Sequence, residues 1–209
     1  MFEELKPIAF QLMGTRKAHL EREKGGIYYH GERVAKTVVA LRKIILPDDS
    51  SNDETLQIAA LFHDIGKGIE PHAGYGSVLA REALKTYFDE TTLENICNLI
   101  SLHCARSPED NNYSEYVKLL QDADMLDHFG TVDVWMNFWY SAYTERDLTK
   151  TAFFEDFDWE SHCENNRKLL NYEISKRIFD EKVKYTNSFY SRLRVECMGD
   201  VFDIDNIAK

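Results

Sequence analysis

Long apolar runs are missing from this sequence. None of its 209 residues falls in an unbroken apolar stretch of membrane-spanning length, so no transmembrane helix is expected. No secretory leader is expected either. The N-terminus, MFEELKPIAF, is acidic and mixed, where a leader would be basic and then apolar. Positive charge is in short supply: 25 Lys and Arg stand against 36 Asp and Glu, a formal charge of −11. That balance argues against a generic binder of duplex nucleic acid or of anionic membranes. A small anionic substrate stays open, because a metal ion can reverse the local field. Cysteine is sparse. Cys97, Cys104, Cys163 and Cys197 form neither a CxxC pair nor a zinc-finger spacing, so four reduced thiols in a cytoplasmic protein are expected. Repeats, low-complexity runs, linkers and convincing strand pairs are absent as well.

What is present is helical periodicity. Hydrophobic residues make up 44% of the chain, ordinary for a globular protein. Nearly every apolar segment repeats at helical spacing. A first helix is expected to end at Gly25-Gly26. His30, Val34, Val38 and Leu41 form one stripe of a second. PDDSSND (47–53) reads as a loop, with Asp53 a candidate cap for LQIAALFHDI. Further helices are expected over about 73–88, from Thr91 or Thr92 through ENICNLISLHC, and from a Ser114 cap to a Gly130 stop. The loop SPEDNN (107–112) separates the last two. An aromatic helix is expected near 131–146, with one or two more over 158–196. The expectation is a single all-α helical bundle over residues 1–196 with a poorly structured tail, 197–209.

Polar residues interrupt the apolar stripes. LQIAALFHDI is apolar nearly all round, yet His63 and Asp64 sit near its end. An unpartnered buried carboxylate costs several kcal/mol or more. The second helix's stripe begins with His30. Leu93, Ile96 and Ile100 predict an inward position that is His103. Val117 and Leu120 predict one that is Asp124, and Asp127 shares that face. Asp122, two residues back, points nearly the opposite way. A lone inward His is more often a core residue bonded to a carbonyl, and a lone Asp can pair with Arg or cap a helix. Together, these imidazoles and carboxylates have few ways to satisfy one another. A divalent cation satisfies them all.

These residues, with the motifs HxxRV, LFHDIGKG, HAxxGSxLAREAL and QDADMLD, resemble the HD superfamily of metal-dependent phosphohydrolases. The likeness is to its small stand-alone bacterial members and covers most of the chain. The resemblance implies metal ligation by His30, His63, Asp64 and Asp124. Asp127 would orient a ligand histidine or a water. Two departures matter. Nucleotidase-type members carry Glu three residues after the HD aspartate, where this chain has Lys67, so deoxynucleotide monophosphatase activity is not carried over. The cyclic-dinucleotide phosphodiesterase branch carries adjacent histidines, where His103 is followed here by Cys104.

The implied chemistry is hydrolysis at phosphorus in a nucleotide or another small phosphate ester. Asp64 would hold or deprotonate the attacking water. Lys67 either binds phosphate as a point charge or closes a helix end. Arg33 either binds phosphate or pairs with Asp127 or another acid. His72 and His103 are either general acids or ligands of a second metal. One tight metal site is expected, with a second ion entering only alongside substrate. Imidazole ligands favour Mn, Fe, Ni, Co or Zn over Mg. Trp135, Phe138, Trp139 and Tyr143 are expected in the core or at a homodimer contact rather than under a base. A non-enzymatic nucleotide-binding module and a di-iron oxygenase are the alternatives of the same fold.

Overall fold

The computed structural model describes residues 1–107, 112–155 and 157–207. Most of the expected 107–112 loop, and the final two residues of the expected tail, lie outside them. Among the described residues every regular element is helical. The helices are α1 (Phe2–Met13), α2 (Gly26–Ile45), α3 (Asp53–Phe62), α4 (His72–Leu84), α5 (Glu90–Leu102) and α6 (Glu115–Asp127). Then follow α7 (Thr131–Tyr143), α8 (Leu148–Phe153), α9 (Trp159–Lys168), α10 (Glu173–Cys197) and α11 (Ile204–Ile207). None is long and apolar enough to cross a membrane.

Helix α3 sits at the centre because its second half, Ile58 to Phe62, is wholly apolar. Ile58, Ala59, Ala60, Leu61 and Phe62 are all buried, and α1, α2, α5 and α6 pack round them. Helix α2 offers Val34, Val38 and Leu41, all buried, as the stripe predicted. Helices α5 and α6 begin where caps allow. Asp89 accepts from the Thr92 amide at 2.9 Å, and Ser114 accepts from the Val117 amide at 3.4 Å. Helix α10 packs on α6, α7, α8 and α9 and forms a second layer.

Several boundaries differ from expectation. Helix α1 ends at Met13, and Gly25 instead precedes α2 with a φ of 77°, a left-handed conformation that suits glycine. Asp53 makes no capping bond to the helix it opens. Its carboxylate is taken by the buried Arg42, with Nε to Oδ1 at 2.6 Å. Helix α3 stops at Phe62, so His63 is its C-cap and Asp64 lies in the following turn. Helix α8 was not foreseen. The aromatic face of α7 is not core: Trp135 is 53% and Tyr143 52% exposed.

Candidate metal centre

The turn carrying Asp64 is pinned from outside the helix. Arg16 donates from Nη1 to the Ile65 carbonyl at 2.7 Å and from Nη2 to the Lys67 carbonyl at 2.8 Å. Two glycines let other elements reach it. A Cβ at Gly31 would lie 2.5 Å from the Leu61 carbonyl oxygen, so only glycine lets α2 lie this close to the end of α3. A Cβ at Gly66 would lie 2.3 Å from the His72 carbonyl oxygen, so the turn can meet the start of α4 this closely only with glycine there. These approaches bring His30 and His72 to opposite sides of the His63–Asp64 pair.

Five imidazoles then run in a row. Ring centroids are 4.7 Å apart for His128–His30, 4.9 Å for His30–His63, 4.8 Å for His63–His103 and 5.3 Å for His103–His72. Each buried ring is held by its Nδ1. His63 donates to the Ala60 carbonyl at 2.7 Å and His103 to the Ile100 carbonyl at 2.6 Å. His30 Nδ1 meets Asp127 Oδ2 at 2.7 Å. For His63 and His103 an acceptor-only carbonyl puts the proton on Nδ1, so Nε2 presents a lone pair, whereas His30 faces a carboxylate from each nitrogen.

Those Nε2 atoms converge with the carboxylates. His30 Nε2 lies 3.0 Å from Asp124 Oδ1, and His63 Nε2 lies 3.5 Å from the same oxygen. His63 Nε2 is 3.8 Å from Asp64 Oδ2. On the other side of Asp64, its Oδ1 is 3.5 Å from His72 Nε2 and 3.6 Å from His103 Nε2. Two of these atoms, His63 Nε2 and Asp64 Oδ1, are buried with no hydrogen-bond partner. A buried polar atom without a partner is costly. An oxygen and an imidazole nitrogen beside two further donors are the ligand types a divalent cation takes. The residues present therefore fit such an ion.

The charges agree. Burial pushes the His30 imidazole down, but its bonds to Asp124 and Asp127 outweigh that and lift it to about 9. Burial also opposes ionisation of Asp124, yet the guanidinium of Arg106 and the bonds from His128, His30 and His63 hold it well below the usual carboxylate range. Burial likewise opposes ionisation of Asp127, which His30 and Arg33 hold down to about 2. The pocket keeps Asp64, Asp124 and Asp127 anionic and favours the charged form of His30 and His103, while burial pushes His128 down.

Of the four residues expected as ligands, His30, His63 and Asp64 place ligand atoms within 4.8 Å of one another, and Asp124 approaches them through His30 and His63. His72 and His103 meet Asp64 from the far side. Lys67 Nζ lies 3.5 Å from Asp64 Oδ1 and 3.5 Å from His72 Nε2. Arg33 grips Asp127 through Nε at 2.9 Å and Nη2 at 2.8 Å, the pairing arm of the two roles open to it. Asp122 points elsewhere, as the helix geometry predicted. It accepts from the Asn171 amide at 2.8 Å and the Tyr172 amide at 3.1 Å, anchoring the start of α10.

Three neighbours were missed. His128 Nε2 lies 3.4 Å from Asp124 Oδ1. Its place one helical turn after Asp124 was the available signal. Arg106 donates to Asp124 Oδ2 and, at 2.9 Å, to the Gln121 carbonyl. Nothing in the local sequence marks it. Cys104 puts its sulfur 3.0 Å from His103 Nε2 and 3.2 Å from His72 Nε2.

Two hollows lie against this set. One of 190 Å³ is lined by His19, Arg22, His30, Asp64, Lys67 and His128, among others. Another of 360 Å³ includes Arg22, Lys24, Tyr29, His30, Arg33 and Trp135. They share Arg22, His30 and His128. A larger hollow, 520 Å³ beside Gly130 and α10, touches none of the histidines.

The HD-domain family model matches residues 27–128, a span that contains all five imidazoles of the row, Asp64 and Asp124. The fold is similar to that of an HD-superfamily hydrolase from Bacillus thuringiensis, with a TM-score of 0.66 and 20% identity over 93% of this chain and 95% of that one. It is similar to a predicted HD-superfamily hydrolase from an uncultured Thermotogales bacterium, with a TM-score of 0.62 and 21% identity over 93% and 91%. It also resembles Bacillus subtilis YpgQ in complex with ADP, with a TM-score of 0.59 and 14% identity over 92% and 96%. No curated protein matches the chain. At these identities the likeness is one of fold.

Proposed function

Since the chain is an HD-domain protein, we propose that it is a divalent-metal-dependent phosphohydrolase acting on a nucleotide or a similar small phosphate ester. The observation that carries this is the pair of buried, unpartnered atoms, His63 Nε2 and Asp64 Oδ1, beside cation-lined hollows. His30, His63, Asp64 and Asp124 would hold the ion. When bound, it supplies Lewis acidity and a hydroxide nucleophile near neutral pH.

The chain's own groups do the rest. Asp64 accepts the proton of the attacking water through its unpartnered oxygen. Asp127 holds His30 by Nδ1 and is itself held by Arg33, which keeps the imidazole aimed at Asp124. Arg106 fixes the other oxygen of Asp124. Lys67 lies close enough to Asp64 to meet an oxygen of a phosphate undergoing attack there, and an ammonium there offsets developing charge. Arg22 and Lys24 line the approach, and a phosphate chain is the ligand such cations suit. His72 and His103 stand where either a proton or a further cation reaches the phosphate.

The nucleotide reading rests on Trp135 and Tyr29. Both are exposed and line the same hollow as Arg33 and His30. An exposed aromatic beside a phosphate-binding groove offers a base a stacking surface. ADP in the similarly folded YpgQ supports the same class.

The test is a panel of nucleotides and non-aromatic phosphate esters, assayed for phosphomonoesterase and phosphodiesterase turnover with Mn²⁺, Fe²⁺, Ni²⁺ and Mg²⁺. Metal-stimulated hydrolysis should vanish in Asp64→Ala and Asp124→Ala. Trp135→Ala should raise KM for nucleotides and leave it unchanged for non-aromatic esters. Metal-stimulated turnover that persisted in both aspartate variants would overturn the mechanism.

A further inference from the structure

We infer that the hollow between the start of α7 and the segment joining α8 to α9 is a base subsite. In it the carboxyl of Asp133 accepts a hydrogen bond from an exocyclic amine and so favours amino-bearing bases over their oxo counterparts. This subsite rests on the phosphohydrolase reading above only for the phosphate end of its ligand.

The hollow has a volume of 380 Å³, within the range of about 300–1,000 Å³ usual for small-molecule sites. Tyr140, Phe154, Phe157 and Trp159 line it together with Met136. Phe154 and Trp159 stack with an interplanar angle of 11° and centroids 5.4 Å apart, and the Arg146 guanidinium lies 5.0 Å over the Tyr140 ring. Walls of this kind take a flat ring. Two acids, Glu21 and Asp133, stand against two guanidiniums, Arg22 and Arg146. With the charges balanced, the hollow selects neither a bare anion nor a bare cation, and a neutral heterocycle suits it.

The hollow adjoins the histidines. His19, Arg22 and Met136 line it and also line the 190 Å³ hollow that holds His30, Asp64 and Lys67. A phosphate beside Lys67 therefore leaves its nucleoside at that shared boundary, with the ring turned into the aromatic walls. Trp135 and Tyr29, in the 360 Å³ hollow, offer a base only a face, which every base has. Asp133 offers a contact to an edge, and edges differ from base to base.

What Asp133 lacks is a donor. Its Oδ2 is buried with no hydrogen-bond partner, a costly state for a polar atom. Burial pushes the carboxyl up to about 7, and Arg22 pulls the other way. A turn about the terminal torsion of the side chain, which is broad in Asp, brings the unpartnered oxygen to the hollow. An N–H donated there satisfies the oxygen and favours the ionised form. The exocyclic amine of adenine or cytosine supplies that N–H. Hypoxanthine and uracil set a carbonyl oxygen in the corresponding place, and two acceptors facing each other repel.

Nucleosides test the subsite without hydrolysis or a phosphate. Ligand-observed NMR titrations of the full chain should show adenosine binding roughly 10-fold tighter than inosine, and cytidine roughly 10-fold tighter than uridine, the worth of one hydrogen bond to a charged group. Asp133→Asn presents a carboxamide that either donates or accepts. It should bring each pair to near equality while inosine and uridine still bind, with an unchanged circular dichroism spectrum. Phe157→Leu should weaken all four nucleosides alike and leave both ratios as they are. The subsite is overturned if no nucleoside binds, if wild type binds the two members of each pair equally, or if the preference survives Asp133→Asn. A preference that disappears in Asp133→Asn, in a protein that turns over no phosphate ester, would uphold the subsite and reject the phosphohydrolase reading.

Discussion

Asp127 shows how a side chain behind a convergent imidazole can set its geometry. It bonds His30 Nδ1 at 2.7 Å and is gripped twice by Arg33. Removing such an outer carboxylate commonly weakens metal binding about 10- to 100-fold. Asp127→Ala should do so with the fold kept, as measured by competition with a chelator of known affinity. Unaltered affinity would mean that His30 needs no orienting partner. Lys67 poses a sharper question, because its ammonium touches both Asp64 and His72. Lys67→Ala should lower kcat or raise KM on a phosphate ester while the bound metal, assayed by atomic absorption, stays. Unchanged kinetics would leave Lys67 only its contacts with those two residues. The inward turn of His30, His103 and Asp124 was legible from stripe periodicity alone. Cys104 was not, because an isolated cysteine without a partner at short spacing looks inert. Only the fold carries His72 to it.

At the scale of elements, α7 carries the clearest titration. Asp133 has a buried Oδ2 with no hydrogen-bond partner. Burial pushes its carboxyl up to about 7, against the opposing pull of Arg22. An unfolded Asp titrates near 4. Between about pH 4 and about pH 7 the native chain therefore keeps a proton that the unfolded chain has released. Stability from this group is present below that window and is lost as pH rises through it. Asp133→Asn should flatten that fall and stabilise the protein above neutrality by on the order of 1–3 kcal/mol. Urea unfolding at about pH 5 and about pH 8 would check it. Parallel losses in wild type and variant would remove Asp133 as the cause. Helix α10 depends on Asp122 in a different way. Its carboxylate accepts from two backbone amides and from Asn171 Nδ2 at 2.8 Å. Asp122→Ala strands those donors and should cost about 1–3 kcal/mol, read as a lower urea midpoint without loss of metal. Helix starts with a Ser or Asp cap, such as Ser114, were readable. The end of α1 was placed too late, at Gly25-Gly26, although Gly14 follows Met13 and donates its amide to the Phe10 carbonyl at 2.6 Å.

The whole molecule joins these scales at the convergent imidazoles and carboxylates. Donors from α2, α4, the ends of α3 and α5, and α6 meet around Asp64, so ligand binding couples to the packing of five helices. A ligand that binds only the folded chain stabilises it by about 2.7 kcal/mol at 100 times its Kd. Chelator-treated protein should melt at a lower temperature, and adding back Mn²⁺, Co²⁺ or Zn²⁺ should restore it. Mg²⁺ should do so poorly. A melting temperature indifferent to all of these ions would place the donors outside any metal site.

Helical periodicity determined that the chain is all-α, and the polar residues breaking its stripes determined which side chains face inward. Both are local properties, set by a 3.6-residue repeat and the cost of burying charge. The tertiary structure alone decided distances between elements. Gly31 and Gly66 allow backbone approaches that no side chain would permit. Those approaches place His30 on one side of Asp64 and His72 with Cys104 on the other. The pairing of Arg33 with Asp127, the contact of Arg106 with Asp124 and the exposure of Trp135 beside the groove follow from the same packing. The sequence left the Arg33–Asp127 pairing as one of two roles, and it held no signature of the Arg106 contact or of the exposure of Trp135, because these depend on segments distant in the chain.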